Sequence, residues 1–300
     1  MIKYLIILII FNILGLITFV MNRIEINKYT IQNDLVIVTG ACKNYVDNLE
    51  KLIGSIHYHE PDIDIYVYDF GMTPEQVKKV KTFKNVIYKN LDISKYPEWI
   101  PKRIKNGDRG MKAALKVPVL YELPNEIPND IVWLDAGNQI GDNLIQLRQL
   151  IREKGYFTTC MRYDGHMKDY THQGMLDYLN LGDYKDKNVG HVSPGLFGIQ
   201  GGTKSEVYQK IIKPAMECTL KKECIDPPGA SLKNHRYDAS ILSALLEKNN
   251  MNIRCGSDMC NNYFDCHGIT ICNGNCPQIM KDSGDYTIQF QRGGGPTYTA

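Results

Sequence analysis

Residues 4–21, YLIILIIFNILGLITFVM, form one nearly unbroken apolar run between Lys3 and Arg23, and from residue 34 the pattern changes to short apolar runs alternating with amphipathic stretches. A run of that length is about enough to cross a hydrocarbon core of roughly 30 Å. No small-residue cleavage site of the A-x-A kind follows in NRIEINKYT, so the pattern predicts an uncleaved anchor over 1–22 and a short stem over 23–33. Lys3 on one side is nearly balanced by Arg23 and Lys28 on the other, so lysine and arginine placement alone does not orient the anchor.

Beyond the stem, DLVIVTG (34–40) reads as a buried strand, and residues 44–59 carry Val46, Leu49, Leu52, Ile53 and Ile56 at helical spacing. A second strand over 64–71 leads to Thr73 as N-cap and Pro74 at the first helical position, and a third strand follows over 85–91. A helix around 110–123, despite Pro118, precedes the strand IVWLDAG (131–137), and residues 142–155 are again amphipathic. Strands alternating with helices build a parallel sheet with helices on both faces. The pattern predicts one catalytic domain over 34–290 and a flexible tail over 291–300.

The strand at 131–137 ends abruptly in an acid, Asp135, followed by the small residues Ala136 and Gly137. In open α/β sheets ligands sit beyond the carboxyl ends of the strands, so Asp135 points into the expected site, although an Asp there can also simply cap a turn. Thr39, Gly40 and Ala41, at the end of the first strand, permit close backbone approach. Tyr45 can stack on a base or pack its own helix, and Asp69 can accept from a base or ribose or hold the turn before Gly71. Arg109 and Lys112 flank a helix start that favours phosphate, or lie on a solvated face. Asp164, His166 and His172 form polar loops that could meet an acceptor, while Trp133 reads as core and Trp99 as packing or a sugar platform.

There is no GxGxxG and no GxxxxGK[ST], so neither a dinucleotide fingerprint nor a phosphate loop is present, and a nucleoside-diphosphate sugar stays open as a ligand. A net charge of +2 argues against nucleic acid as partner. Seven of the nine cysteines lie after residue 217, which beyond an anchor predicts disulfides formed in an oxidising lumen. Spacings of four, five, five and three residues between the last five cysteines contain no CxxC pair and argue against zinc. An odd count leaves one thiol free, and Cys42, just after a buried strand, is the candidate.

Several short motifs act together: VTGACKNYVDNL, IYVYDFGM, the KYP of 95–97, MKAALKVPVL, IVWLDAG, THQGMLDYL, KPAMEC, CIDPPGA and HRYDAS. In these, and over most of residues 34–270, the chain resembles animal and viral proteins of the nucleotide-diphospho-sugar transferase superfamily, which have a type II anchor and a GT-A-like glycosyltransferase domain. The resemblance implies a GT-A-like, Rossmann-like α/β fold with a mixed, mostly parallel sheet. It also implies transfer of a hexose, with UDP as the carrier, to a glycan, glycoprotein or glycolipid acceptor in the lumen of the endoplasmic reticulum or Golgi. Asp135 matches the single acid of the family's WLD motif, in the place of the metal-binding DxD of other GT-A enzymes, and Gly137 stands where a second Asp would be. Mn²⁺ or Mg²⁺ would then rest on Asp135, with His267 as a further ligand, a thin donor set for a divalent ion. Asp238 of HRYD is the expected catalytic carboxylate, and His235 and Arg236 are expected to neutralise the diphosphate. Gln is usual in related sequences where this chain has Ala239. Together with Gly137 this leaves open a catalytically degenerate, carbohydrate-binding or scaffolding relative. A nucleotidyltransferase or hydrolase on a similar sheet is a further rival.

Overall fold

The computed structural model describes residues 35–160, 167–182 and 190–251, together with the strands over 263–266, 269–273 and 288–290. Among the described residues no helix is long and apolar enough to cross a membrane, and the apolar run 4–21, the stem and the tail 291–300 lie outside them.

Six strands form the main sheet: β1 (Leu35–Ala41), β2 (Ile65–Asp69), β3 (Val86–Asn90), β4 (Asp130–Leu134), β6 (Tyr156–Cys160) and β7 (Val192–Ile199), with β5 (Asn138–Ile140) lying outside it. Their spatial order is β3-β2-β1-β4-β7-β6. The first four are mutually parallel, β7 runs antiparallel to β4, and β6 is antiparallel to β7. The sheet is therefore mixed and mostly parallel, as expected.

Side chains alternate across β1 and sort into two cores. Leu35 and Ile37 face α1 (Val46–His59) and α6 (Ile145–Lys154), against Leu49, Leu52, Ile53, Leu147 and Ile151. Val36 and Val38 face the opposite layer, which includes α4 (Arg109–Ala114), α5 (Lys116–Glu122), α9 (Lys213–Thr219) and α11 (Asp238–Lys248). Helices thus cover both faces, and burial of this apolar surface is the main term favouring the fold.

Local signals in the sequence explain several boundaries. Helix α2 (Pro74–Val80) opens on a complete capping box, in which the Thr73 side chain accepts from the Gln76 backbone and the Gln76 side chain accepts from Thr73. Helix α6 stops at Gly155, whose φ of 79° is left-handed and suits glycine. The single helix expected over 110–123 is instead two, α4 and α5, meeting at Leu115. Pro118 has no N–H to donate and its ring crowds the carbonyl four residues earlier, at Ala114, so the ladder breaks there.

The chain continues through α7 (Met167–Tyr170), α8 (Gln173–Tyr178), α10 (Lys222–Ile225), β8 (Tyr263–Cys266), β9 (Ile269–Asn273) and β10 (Ile288–Phe290). A short helix, α3 (Trp99–Lys105), lies between β3 and α4. Strand β5, three residues beyond Asp135, belongs to a second sheet of order β5-β10-β9-β8, which ties the C-terminal strands to the loop that follows the WLD motif. Cys218 and Cys224 form a disulfide, and Cys42 is a free thiol.

One buried ion pair fixes α1 to α6. Glu60, just past α1, receives two parallel bonds from Arg148, Nη1 to Oε1 at 2.7 Å and Nη2 to Oε2 at 2.9 Å, and both side chains are almost fully buried. Glu60 Oε1 also accepts from the Leu144 backbone at 2.5 Å, which anchors the start of α6. Removing one partner strands a buried charge, so Arg148→Met should destabilise the protein by about 3–5 kcal/mol. Urea denaturation of the two proteins measures the difference, and a loss below about 1 kcal/mol would contradict a structural role for this pair.

Candidate active site

A cluster of three charges sits at the carboxyl end of β4. Asp135 follows β4 directly, and antiparallel pairing with β7 sets it opposite Gly195, whose carbonyl accepts from the Asp135 backbone N–H at 2.9 Å. A Cβ added at Gly195 would lie 3.3 Å from Asp135 Oδ2, so glycine leaves the carboxylate its room. Asn138 supports the same carbonyl through Nδ2 at 2.7 Å.

Lys116, the first residue of α5, reaches across the sheet end to this point. Its Nζ lies 3.2 Å from Asp135 Oδ1 and 3.0 Å from Asp238 Oδ2, and donates to the Pro194 carbonyl at 2.6 Å. It also sits 5.3 Å from the centre of the Trp133 ring, and Trp133 Nε1 donates to Asp135 Oδ1 at 2.6 Å. Trp133 is core, as expected, but its indole N–H also orients the acid two residues on. Both donors fall on Oδ1, and among the described residues no hydrogen bond reaches Oδ2.

Exposure separates the three groups. The Asp135 side chain is 52% exposed, whereas those of Lys116 and Asp238 are 4% and 6% exposed. Burial alone pulls the Lys116 ammonium toward deprotonation, but Asp135 and Asp238 outweigh it and hold the pKa above the usual lysine value. Burial pushes the Asp238 carboxyl up, against the opposing pull of Lys116. Asp238, expected to be the carboxylate that meets the substrate, lies behind the lysine in this structure, and the open carboxylate is Asp135.

Asp238 is delivered by a strained backbone. Tyr237, which precedes α11, has φ 49° and ψ −103°, a conformation that costs a bulky residue about 1–3 kcal/mol. It is held by its buried ring, which lies against Gly110 of α4, where an added Cβ would come within 2.2 Å of Tyr237 Cε2. Arg103 joins the same corner, pairing with Asp108 and Asp226 and donating to the Tyr237 hydroxyl at 3.3 Å.

The remaining sequence candidates are placed as follows. Thr39 is fully buried with its hydroxyl unpaired, and Gly40 gives room to the Phe70 ring, which a Cβ would meet at 2.4 Å. Tyr45 packs half-buried on the α1 side of the sheet. Asp69 holds its turn, accepting from Gly71 and Met72 N–H at 2.7 Å each and from the Tyr88 hydroxyl at 2.8 Å. Arg109 is exposed and Lys112 half-buried on α4, and Gly137 is half-buried between β4 and β5. Trp99 packs against the core.

The expectation of a cationic His235 needs correcting. The ring is fully buried, its Nε2 bonds the Ile225 carbonyl at 3.1 Å and its Nδ1 accepts from the His172 backbone at 3.2 Å. Burial lowers its pKa to about 4, so it is neutral and works within the fold. Arg236 stacks over the Tyr170 ring at 4.8 Å. His172 caps α8, accepting from Gly174 N–H at 3.0 Å. Asp164, His166 and His267 lie outside the described residues.

The site fits a divalent metal poorly. A hard cation wants several oxygen ligands, yet Asp135 Oδ1 already takes two donors and the second acid is buried on the ammonium. Among the described residues no three His, Cys, Asp or Glu side chains converge. Sequence reading missed Lys116. Its signal was a lysine inside the apolar run AALKVPVL, where a charged side chain is buried only with a partner.

A family model described as a protein of unknown function (DUF1647) matches residues 7–106, ending ahead of Lys116, Asp135 and Asp238. No curated protein matches the chain. Among solved structures, the galactosyltransferase LgtC in complex with donor and acceptor sugar analogues is 16% identical over 70% of this chain and 69% of its own, with a TM-score of 0.46. An active-site mutant of LgtC is 15% identical over 87% of this chain and 88% of its own, with a TM-score of 0.49. Mouse xyloside xylosyltransferase 1 in its apo form is 11% identical over 88% of this chain and 99% of its own, also with a TM-score of 0.49.

Two outcomes are expected. Gly110→Ala should displace the Tyr237 ring and with it Asp238, lowering the thermal midpoint by several degrees, about 1–3 kcal/mol; an unchanged melting curve would show that the contact yields freely. The second concerns pH. Burial lowers His191 to about 3 and His235 to about 4, below their ordinary value of 6.5. The unfolded chain therefore binds protons first as pH falls, and the stability these rings contribute, complete above pH 6.5, is lost toward pH 4 at up to about 1.4 kcal/mol per unit per histidine. Replacing both by Gln should flatten urea midpoints measured between these pH values.

Proposed function

We propose that this chain is a glycosyltransferase that moves a hexose from a nucleotide-diphospho-sugar, with UDP as carrier, to a glycan, protein or lipid acceptor. The observation that carries the reading is Asp135, an open carboxylate just past the central strand of a mostly parallel sheet, backed by a buried ammonium. Ligands of open α/β sheets bind at that edge, and the WLDAG and HRYDAS motifs agree in pointing to a sugar-nucleotide donor.

In the reaction the bond between the anomeric carbon and the diphosphate oxygen breaks, with its electron pair leaving on the diphosphate. The acceptor oxygen forms the new bond to that carbon, and its proton passes to the departing diphosphate or to solvent. Positive charge develops on the sugar and negative charge on the leaving group. Asp135 is the residue we assign to the donor, its open Oδ2 accepting from hydroxyls of the sugar. Asp238 acts as a positioning residue, through Lys116. Arg109 and Lys112, on the helix before Lys116, supply further positive charge toward a diphosphate.

The apolar run 4–21 and the cysteine-rich C-terminal part support a type II membrane protein with this domain in the lumen of the endoplasmic reticulum or Golgi, and the Cys218–Cys224 disulfide agrees with that compartment.

Incubating the purified chain with a panel of nucleotide sugars and following sugar release tests the reading. At least one donor should bind and hydrolyse slowly, and Asp135→Asn should lower the rate by about 100-fold. Binding of a donor with no release by any variant would favour a degenerate relative, and failure of every donor to bind would refute the proposal.

A further inference from the structure

Three oxygens converge on one buried nitrogen in this site. Pro194 O lies at 2.6 Å, Asp238 Oδ2 at 3.0 Å and Asp135 Oδ1 at 3.2 Å from Lys116 Nζ, and they come from β7, from the start of α11 and from the end of β4. Two anionic oxygens and a carbonyl gathered from separate elements make a cage of the kind that holds a cation, and here the cation is covalently part of the chain. We propose that the Lys116 ammonium takes the place of a divalent ion between the two acids, lowering the negative charge of the cluster by one, so that the donor binds without metal. This inference rests on the glycosyltransferase reading above.

Charge and exposure support it. Without the lysine, the open Asp135 and the buried Asp238 behind it would leave two uncompensated negative charges, and a diphosphate would be repelled more strongly. With it, Asp135 is paired on Oδ1, while among the described residues none donates a hydrogen bond to Oδ2 on the open side. A divalent ion added on Oδ2 would sit beside an ammonium of like sign, which opposes binding. The ammonium is nearly buried, where its field is screened less than that of a surface lysine. It neither gives nor takes a proton as the diphosphate departs. The electron pair of the broken glycosyl bond stays on the leaving oxygen, and Lys116 remains protonated throughout.

The test uses the full chain and UDP as probe. Calorimetry of wild type should give the same UDP affinity in excess EDTA and in excess Mn²⁺, within about threefold, and electron paramagnetic resonance should detect no tightly bound Mn²⁺ on the free protein. Lys116→Ala vacates the cage but leaves its oxygens. UDP affinity in EDTA should then fall by about 100-fold, Mn²⁺ should now bind with a resolved signal, and its presence should restore UDP binding.

Wild-type UDP binding that requires Mn²⁺, tight Mn²⁺ binding by the free wild type, or undiminished UDP binding by Lys116→Ala in EDTA would each overturn the inference and leave the transferase reading standing. No UDP binding by wild type in either condition would overturn both. If Lys116→Ala does not fold, the wild-type measurements decide alone.

Discussion

Burying the ammonium of Lys116 is the demand around which this end of the molecule is built. Removing an ammonium from water costs several kcal/mol even after the surroundings relax. One carboxylate about 4 Å away returns about 4 kcal/mol at an effective dielectric near 20, a rough break-even. Two carboxylates and a carbonyl turn the balance clearly in favour of the charged form, which explains why Asp238 is present behind Asp135 and why the pKa of Lys116 rises despite its burial. The topology follows from the same demand. An antiparallel β7 beside β4 places Pro194 and Gly195 opposite Asp135, and the break between α4 and α5 starts a new helix at the lysine.

The two faces of the sheet divide the labour. On one, α1 and α6 are clamped by the Glu60–Arg148 pair, and nothing there reaches the charge cluster. On the other, α4, α5 and α11 carry Gly110, Lys116, Tyr237 and Asp238 within one packed layer. Chemistry and strain are confined to the second face, while the first supplies a rigid support. Strain at Tyr237 persists because its surroundings determine its conformation more strongly than its own backbone preference.

Much of this was legible in the sequence because it is written locally. Apolar runs and helical spacing located β1 to β4 and α1, and Thr73 and Pro74 marked the start of α2 through chemistry that acts within four residues. The end of IVWLDAG identified Asp135 for the same reason, since a strand that stops on an acid needs no tertiary knowledge to be noticed. Lys116 was not legible, because its meaning depends on partners 78 and 122 residues away, Pro194 and Asp238. His235 was misjudged by the same route: beside Arg236 in HRYD it looks cationic, and only the packing of α10 around it makes it neutral. Pro118 was read through as part of one helix, although its ring breaks the ladder at Ala114, four residues earlier in the chain.

The Cys218–Cys224 disulfide joins the end of α9 to α10 across six residues of sequence. Immediately after it come Ile225, whose carbonyl holds His235, and Asp226, which pairs with Arg103 beside the Tyr237 hydroxyl. These contacts lead, step by step, to the residue that presents Asp238. The oxidation state of two sulfur atoms is thereby mechanically connected to the charge cluster, so chain made in a reducing cytoplasm would carry its site on a looser hinge than chain matured in an oxidising compartment.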